Sequence, residues 1–169
     1  MSSLELFSIK DKVAVVLGGT SGIGQAIARG FAEAGAITIA SSRDQAKVNP
    51  MADEIEKLGS KTLRLTSDVQ DRASLETLCN EVVLAFGQVD ILVVTSGTLK
   101  KMPTADFPEE DWTRIIDINL NGSFRANQIF GRQMIKQQSG CIINTCSLTS
   151  FVSFTEVAPY SCRDRKSVV

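Results

Sequence analysis

The hydrophobic positions of the chain fall into five short runs separated by longer segments with helical spacing. The runs are Val13–Leu17, Ile37–Ala40, Thr62–Thr66, Ile91–Val94 and Ile142–Thr145. Four of them are nearly continuous, which is typical of strands that are covered on both faces. Thr62–Thr66 instead alternates polar and apolar residues, as an edge strand does. The pattern therefore predicts five strands, with Thr62–Thr66 at an edge.

The segments between the runs predict five helices. The first extends from Ile23 to a stop at Gly35, and the second is expected to begin with Asn49 as its N-cap and Pro50 as its first residue. The fifth is indicated by Leu120, Phe124, Ala126, Phe130 and Met134. Strands that alternate with helices imply right-handed βαβ units, so we predict an α/β fold with a parallel sheet.

Composition narrows the class of protein. The chain has 169 residues, of which 43% are hydrophobic, and a formal net charge of −1, which is an ordinary globular balance. It lacks the basic stripe of a nucleic-acid-binding protein, and its longest apolar stretches are too short to cross a bilayer. Residues 1–10 also lack the apolar core of a signal peptide. We therefore expect a cytoplasmic protein with neither a nucleic-acid nor a membrane partner.

Four cysteines and the absence of histidine limit the chemistry that the chain can perform. Cys79, Cys141, Cys146 and Cys162 form no Cys-x-x-Cys pair, and there is no histidine to complete a zinc site. We therefore predict no metal site, and we interpret the cysteines as small buried residues in a reducing compartment. The lack of histidine also excludes Ser-His-Asp and Cys-His catalysis.

A glycine-rich turn, Gly18 to Gly24, connects the first strand to the first helix. This strand–turn–helix context places backbone N–H groups at the positive end of a helix dipole, where they attract phosphate. Gly18 is expected to permit the sharp turn, Gly22 to let a diphosphate approach, and Gly24 to let helix and strand pack closely. No lysine follows the glycines, so the turn is not a nucleoside triphosphate loop. An ordinary turn without a ligand is the alternative.

The spacing Gly-x-x-x-Gly-x-Gly resembles the classical short-chain dehydrogenase/reductase family, and the resemblance extends from Asp11 to Tyr160. It implies a Rossmann-like, doubly wound parallel sheet in three α/β/α layers. It also implies one dinucleotide-binding domain, residues 1–169, that is incomplete at its C-terminus and lacks the last two strands of the family. The residues that it assigns to cofactor binding are Gly18, Thr20, Ser21, Gly22, Ile23, Gly24, Asp68, Val69, Ser96 and Gly97.

Three of these segments depart from the family pattern or have another explanation. Leu17 replaces the family's threonine before the first glycine, which predicts the loss of one hydrogen bond in the turn. Only Gly97 is retained where the family has Asn-Asn-Ala-Gly. Asp68 corresponds to the acid that contacts adenine, but it could instead cap the helix that begins near Asp71.

The resemblance assigns catalysis to Asn119, Ser147 and Tyr160, the last two separated by thirteen residues. Taken alone, Asn119 would be interpreted as a structural asparagine, Ser147 as a loop serine and Tyr160 as a packed tyrosine. In the family, Tyr160 would act as acid and base, Ser147 would hydrogen-bond the substrate oxygen, and Asn119 would support a proton path. Hydride transfer between the cofactor and a small carbonyl or alcohol substrate is the implied reaction, with a keto-sugar, a keto-acid or a 3-oxoacyl compound as the substrate.

The end of the second predicted strand favours NADP(H) over NAD(H), with NAD(H) kept as the second cofactor. An acid there would repel a 2′-phosphate, but the position is Ser42 and the next residue is Arg43. A guanidinium pairs well with phosphate, although Asp44 weakens the local positive field. A solvated surface arginine is the alternative.

The region after Tyr160 departs from the family at the residue that tunes the tyrosine. The family places a lysine four residues further on, where its charge lowers the tyrosine pKa. Here that residue is Asp164, while Lys166 lies on another helix face and Arg163 is an imperfect substitute. Three expectations follow: an active reductase, a catalytically impaired dinucleotide-binding remnant, or an incomplete product that is unstable alone or needs a partner. The missing strands are expected to expose Ile142–Thr145 as an edge and to weaken any homo-oligomer.

Overall fold

Four parallel strands with helices on both faces make up the computed structural model, which describes residues 7–152 and 154–164. The strands are β1 (Val13–Leu17), β2 (Ile37–Ser41), β3 (Ile91–Val94) and β4 (Cys141–Asn144). The helices are α1 (Gly22–Glu33), α2 (Gln45–Lys57), α3 (Arg72–Phe86), α4 (Glu109–Ile116), α5 (Gly122–Lys136) and α6 (Ala158–Asp164). Four of the five predicted strands are thereby confirmed to within one residue at each end.

The strand order is β2-β1-β3-β4, so the chain moves outward from β1 in both directions. Val13 of β1 is in register with Ile37 of β2, and Leu17 is in register with both Ser41 and Val94. All five residues of β1 are buried, because this strand is flanked by two others and covered on both faces. The reversal of winding direction between β2 and β3 creates a topological switch point beside β1.

Alternate residues of the strands contribute to two separate hydrophobic layers. One layer packs Val16, Ala40 and Val93 against helices α1 and α2. The other packs Val15 and Leu92, with other strand residues, against helices α3 and α5. This arrangement confirms the predicted α/β fold with a doubly wound, Rossmann-like sheet in three layers. No helix in the described part of the chain is long and apolar enough to span a membrane.

The prediction of a strand at Thr62–Thr66 is wrong. The segment runs beside β2, but the backbone bonds to it come at its two ends, from Thr38 N to Lys61 O and from Ser67 N to Ser42 O. Between them, the hydroxyl of Ser41 donates to the carbonyl of Leu65 at 2.7 Å. Side-chain bonds thus replace part of the regular ladder that defines a strand.

The predicted start of the second helix is also wrong. Helix α2 begins five residues earlier than expected, at Gln45, and includes Pro50 in its interior. Its N-cap is Asp44, whose carboxylate accepts a hydrogen bond from the amide of Ala46 at 2.9 Å. A capping carboxylate therefore sets the start of this helix in place of the Asn49-Pro50 pair.

The indicated positions of the fifth helix do not share one face. Ala126, Phe130 and Met134 are buried, whereas the side chains of Leu120 and Phe124 are 46% and 59% exposed. Phe124 and Ala126 are two residues apart, which corresponds to about 200° of rotation around a helix. The two groups consequently lie on opposite faces, and only the second contributes to the core.

Of the four cysteines, which were all expected to be buried, only Cys79 is buried. That residue lies in the core, where burial raises the pKa of its thiol to about 11. Cys141, Cys146 and Cys162 are exposed. Cys141 begins β4, whose residues are largely exposed, unlike those of β1 to β3.

Candidate active site

A cleft of about 400 Å³ opens at the carboxyl ends of the strands, at the switch point beside β1. Its wall comes from the segments that follow β1, β2, β3 and β4 and from the segment after residue 66. The lining residues are Gly18, Thr20, Ser21, Ile23, Gly24, Ser42, Arg43, Asp44, Lys47, Ser67, Asp68, Val69, Thr95, Ser96, Gly97, Thr98, Ile118 and Thr145. Crevices at this position of open α/β sheets are where such folds bind ligands.

The glycines of the turn let helix α1 approach the ends of β1 and β3. Gly18 has φ +80°, and a Cβ there would lie 2.8 Å from Thr95 Oγ1. A Cβ on Gly24 would lie 2.2 Å from the carbonyl oxygen of Gly18. Side chains at these positions would therefore push the helix away from the sheet, as expected from the sequence.

The first turn of α1 lacks the cap that α2 and α3 have. The N-cap Ser21 makes no side-chain capping hydrogen bond, and there is no acidic residue in the first turn. By contrast, Asp44 caps α2 and Asp71 caps α3. The opening amides of α1 therefore face the cleft without a capping carboxylate, which suits them to an anionic ligand.

Thr95 supplies a hydroxyl hydrogen bond to the backbone just before the turn, at Leu17. Its hydroxyl donates to the carbonyl oxygen of Leu17 at 2.7 Å, and its amide donates to the same oxygen at 2.9 Å. The side chain of Leu17 is fully buried in the core. Leu17 thus belongs to the core, while the hydroxyl comes from the residue that follows the neighbouring strand β3.

The rim after β2 carries two cations. Arg43 lines the cleft as predicted, and Lys47, which the sequence analysis did not identify, lines it as well. Asp44 lies between them, but its carboxylate is engaged with the amide of Ala46. Because α2 starts at Gln45, Lys47 lies in its first turn, next to the rim. The sequence analysis placed the helix start at Pro50 and therefore did not identify Lys47 as a residue of the cleft.

Asp68 lines the cleft and does not cap α3, since Asp71 occupies the cap position. One Asp68 oxygen accepts from the amide of Gln70 at 2.9 Å, which holds the segment in a tight local turn. The neighbouring Val69 is buried against Gly122, where an added Cβ would approach the valine side chain to 2.9 Å.

A polar network fastens this wall to the start of α5. Asp117 accepts hydrogen bonds from Arg125 at 2.7 Å and from Gln70 at 3.1 Å, and Arg125 also donates to the carbonyl of Val69 at 3.3 Å. Burial raises the pKa of Asp117, but hydrogen bonds from Arg125, Gln70 and Asn121 outweigh it and hold the pKa below its usual value. The ionised carboxylate therefore stabilises this junction.

Asn119 lies in a π-helical turn, Asp117–Asn121, between α4 and α5. Its side chain is buried and pairs with both backbone groups of Thr98 at 2.8 Å, accepting from the amide and donating to the carbonyl. Thr98 lines the cleft. Asn119 therefore holds the backbone of the cleft wall in place at Thr98 without lining the cleft itself. π-Helical turns of this kind are frequent at functional sites.

Ser147 and Tyr160 lie beyond the end of β4. Ser147 caps a short 3-10 turn, Leu148–Ser150, by accepting from the amide of Thr149 at 3.3 Å. Tyr160 is half-buried on α6, which packs against this turn, against α4 and against the π-helical turn that holds Asn119. The structure thus brings together the elements that carry the three predicted catalytic residues, although none of the three lines the cleft.

The predicted cofactor residues line the cleft with one exception. Gly22, at φ +54°, is not part of its wall, and an added Cβ there would meet nothing within 4 Å. The backbone of Asp164 lies at the end of α6, while Lys166 lies outside the described residues. The described residues include no group of three side chains that could hold a metal ion.

Comparison with known proteins gives the same picture. The family model described as "short chain dehydrogenase" matches residues 12–163. A 2-dehydro-3-deoxy-D-gluconate 5-dehydrogenase of Pseudoalteromonas atlantica is 38% identical over 94% of this chain and 63% of its own length. An NAD-dependent glycerol dehydrogenase of Listeria innocua is 35% identical over 96% of the chain and 63% of its own length.

A solved short-chain type dehydrogenase/reductase from Mycobacterium marinum superposes with a TM-score of 0.92 and 31% identity. That similarity covers 97% of this chain and 68% of the solved one. The chain spans just under two thirds of the length of the two curated relatives above. The family match, the sheet order and the cleft at its switch point agree: the chain belongs to the short-chain dehydrogenase family.

Proposed function

We propose that this chain binds NADP(H) in the cleft and belongs to an oxidoreductase that transfers a hydride between nicotinamide and a carbonyl or alcohol carbon. The observation that carries the proposal is the uncapped start of α1, whose amides face the cleft at the switch point. A diphosphate satisfies such amides and complements the positive end of the helix dipole. NAD(H) is the alternative cofactor.

Three places along the cleft suit three parts of this cofactor: the 2′-phosphate, the adenine and the path towards the nicotinamide. Arg43 and the neutral Ser42 favour a 2′-phosphate over an unmodified ribose, since no carboxylate at that position repels it. Asp68 and Val69 suit the adenine, and Ser96 and Gly97 suit the path towards the nicotinamide. The bound nicotinamide would supply or accept the hydride.

Hydride transfer also requires a proton to move to or from the substrate oxygen, and we propose that residues on and around α6 perform this step. Tyr160 exchanges a proton with the substrate oxygen, while the hydroxyl of Ser147 donates a hydrogen bond to that oxygen. Asn119 holds the backbone at Thr98 and acts as a positioning residue. All three roles depend on the resemblance to the family and on the packing of α6 against the two turns.

A polyhydroxylated carbonyl compound is the substrate class that we favour among keto-sugars, keto-acids and 3-oxoacyl compounds. The two curated relatives described above are named for a deoxy-keto-gluconate and for glycerol. Both compounds carry several hydroxyl groups.

The test is oxidation of NADPH or NADH, followed by absorbance, with a panel of keto-sugars, keto-acids and 3-oxoacyl compounds. Tyr160→Phe is the matched control, because it removes the hydroxyl and keeps the ring. Turnover no faster than that of the control would reject the catalytic part of the proposal. Arg43→Ala should weaken NADPH about tenfold and leave NADH unchanged. An equal loss for both would reject the preference for NADP(H).

A cofactor-binding chain without turnover is the second candidate, and Asp164 is the observation that favours it. A carboxylate four residues after Tyr160 opposes formation of the phenolate. Binding alone would raise the melting temperature with saturating NADPH while no NADPH is consumed. Asp164→Lys, compared with Asp164→Asn, separates the readings, since turnover gained by lysine alone identifies a repairable catalytic centre. No thermal shift at all would exclude cofactor binding.

A further inference from the structure

The cleft rim after β2 differs from the rest of the surface in how its cations are used. Ion pairs engage most described arginines; the paired ones are Arg29, Arg64, Arg72, Arg114 and Arg125. Arg43 and Lys47 both line the cleft, and neither forms an ion pair with a carboxylate among the described residues. Their charges are therefore available to an anion that enters from solvent.

Asp44, which lies between Arg43 and Lys47 in the sequence, does not neutralise their charges. Asp44 has its carboxylate turned to the backbone of α2, where it accepts from the amide of Ala46 at 2.9 Å. That bond caps the helix, so movement of the carboxylate towards Arg43 or Lys47 would sacrifice the cap. The capped helix also fixes the backbone of Lys47, which lies in its first turn.

A second observation at the same rim points to a missing ligand group. The hydroxyl oxygen of Ser42 is buried and has no hydrogen-bond partner among the described residues. Buried hydroxyl groups in folded proteins almost always have a partner, because an unsatisfied one costs free energy. Ser42 also lines the cleft, so a small rotation of its side chain would present the hydroxyl to a phosphate oxygen.

We propose that Lys47 is a specificity-determining residue that binds the 2′-phosphate of NADP(H) together with Arg43 and Ser42. A phosphomonoester carries close to two negative charges at neutral pH, and one arginine neutralises only one of them. The guanidinium of Arg43 provides a planar pair of donors, whereas the ammonium of Lys47 provides a compact charge from α2. This assignment rests on the proposed dinucleotide site.

The experiment compares two adenosine fragments that differ only in the group at issue. Adenosine 2′,5′-bisphosphate and 5′-AMP are titrated calorimetrically into the full chain and into Lys47→Ala. We expect Lys47→Ala to weaken the bisphosphate about tenfold and to leave 5′-AMP unchanged within about twofold. Lys47→Arg should retain most of the affinity, since it keeps the charge.

Lys57→Ala is the matched control, because Lys57 is an exposed lysine on the same helix and is not part of the cleft wall. It should bind both fragments as the wild type does, and thermal melts of all variants report whether they are folded. An unchanged bisphosphate affinity in Lys47→Ala, or an equal loss for both fragments, would overturn the role of Lys47 alone. A wild-type chain that binds neither fragment would overturn the dinucleotide site and this assignment together.

Discussion

The two outer strands of the sheet, β2 and β4, have similar apolar sequences and opposite environments. Ile39 of β2 is 0% exposed, whereas Ile143 of β4 is 46% exposed. The irregular segment that ends in Ser67 runs beside β2, while β4 pairs with β3 alone among the described strands. The comparison teaches that the burial of an outer strand depends on what lies beside it. The resemblance to the family predicted the exposure of β4, which the apolar sequences of the two strands alone do not indicate.

The largest expected effect is the removal of one isoleucine side chain from each outer strand. Ile39→Ala should lower the free energy of unfolding by about 3–4 kcal/mol, because it leaves a cavity in the core. Ile143→Ala should cost less than about 1 kcal/mol, since much of that side chain is already in water. Urea unfolding of both variants measures the difference. Equal losses would mean that β4 is covered in solution.

A smaller effect is expected when a methyl group is added on each side of the sheet. Gly24→Ala should cost about 2–3 kcal/mol and abolish stabilisation by NADPH, because the new Cβ would overlap the carbonyl of Gly18. Gly131→Ala, in α5, would place its Cβ 3.7 Å from Ile142, an ordinary contact, and should gain about 0.5–1 kcal/mol. Thermal melts with and without NADPH test both. A stable, NADPH-responsive Gly24→Ala would show that α1 need not approach the turn so closely.

The smallest effect is expected from removing the charge of Asp117, whose carboxylate accepts hydrogen bonds from Arg125 and Gln70. The pKa of Asp117 is lowered in the folded chain, so its ionised form adds stability at pH values above the ordinary aspartate value of about 3.9. Asp117→Asn should therefore cost about 1 kcal/mol at pH 7. The difference from wild type should vanish as the pH falls from about 4 through the lower folded value.

Urea unfolding at pH 7 and at pH 3 measures this dependence, with Asp106→Asn as the control because Asp106 is exposed. A difference that stays constant over this range would show that the carboxylate charge of Asp117 does not hold the junction.

The sequence was sufficient where pattern and environment agree. The continuous apolar run Val13–Leu17 predicts β1 because the strand is buried on both faces, and the structure has the same bounds. The prediction of a strand at Thr62–Thr66 failed because alternation of polar and apolar residues is also typical of a half-covered segment that lacks a regular ladder of backbone hydrogen bonds. The start of α2 failed because a capping carboxylate at Asp44 outweighed the familiar Asn-Pro signal.

The site was predictable to the extent that it is local in sequence. The glycine turn is one contiguous segment, and all but Gly22 of its predicted ligand residues line the cleft. Thr95 and Lys47 act across elements, and their contribution depends on packing and helix boundaries that the sequence did not disclose. The catalytic roles of Asn119, Ser147 and Tyr160 remain predictions, because they concern chemistry rather than placement.

The π-helical turn at Asp117–Asn121 sets the rotational phase between α4 and α5. Each residue of an α-helix advances the chain by about 100°, so removal of one residue here would rotate everything on one side of the turn by that angle. The amide of Asn119 could not then stay opposite Thr98 while Ala126 and Phe130 kept facing the sheet. A change in the length of this segment would therefore misplace either Asn119 or the core residues of α5, whichever residues the segment contains.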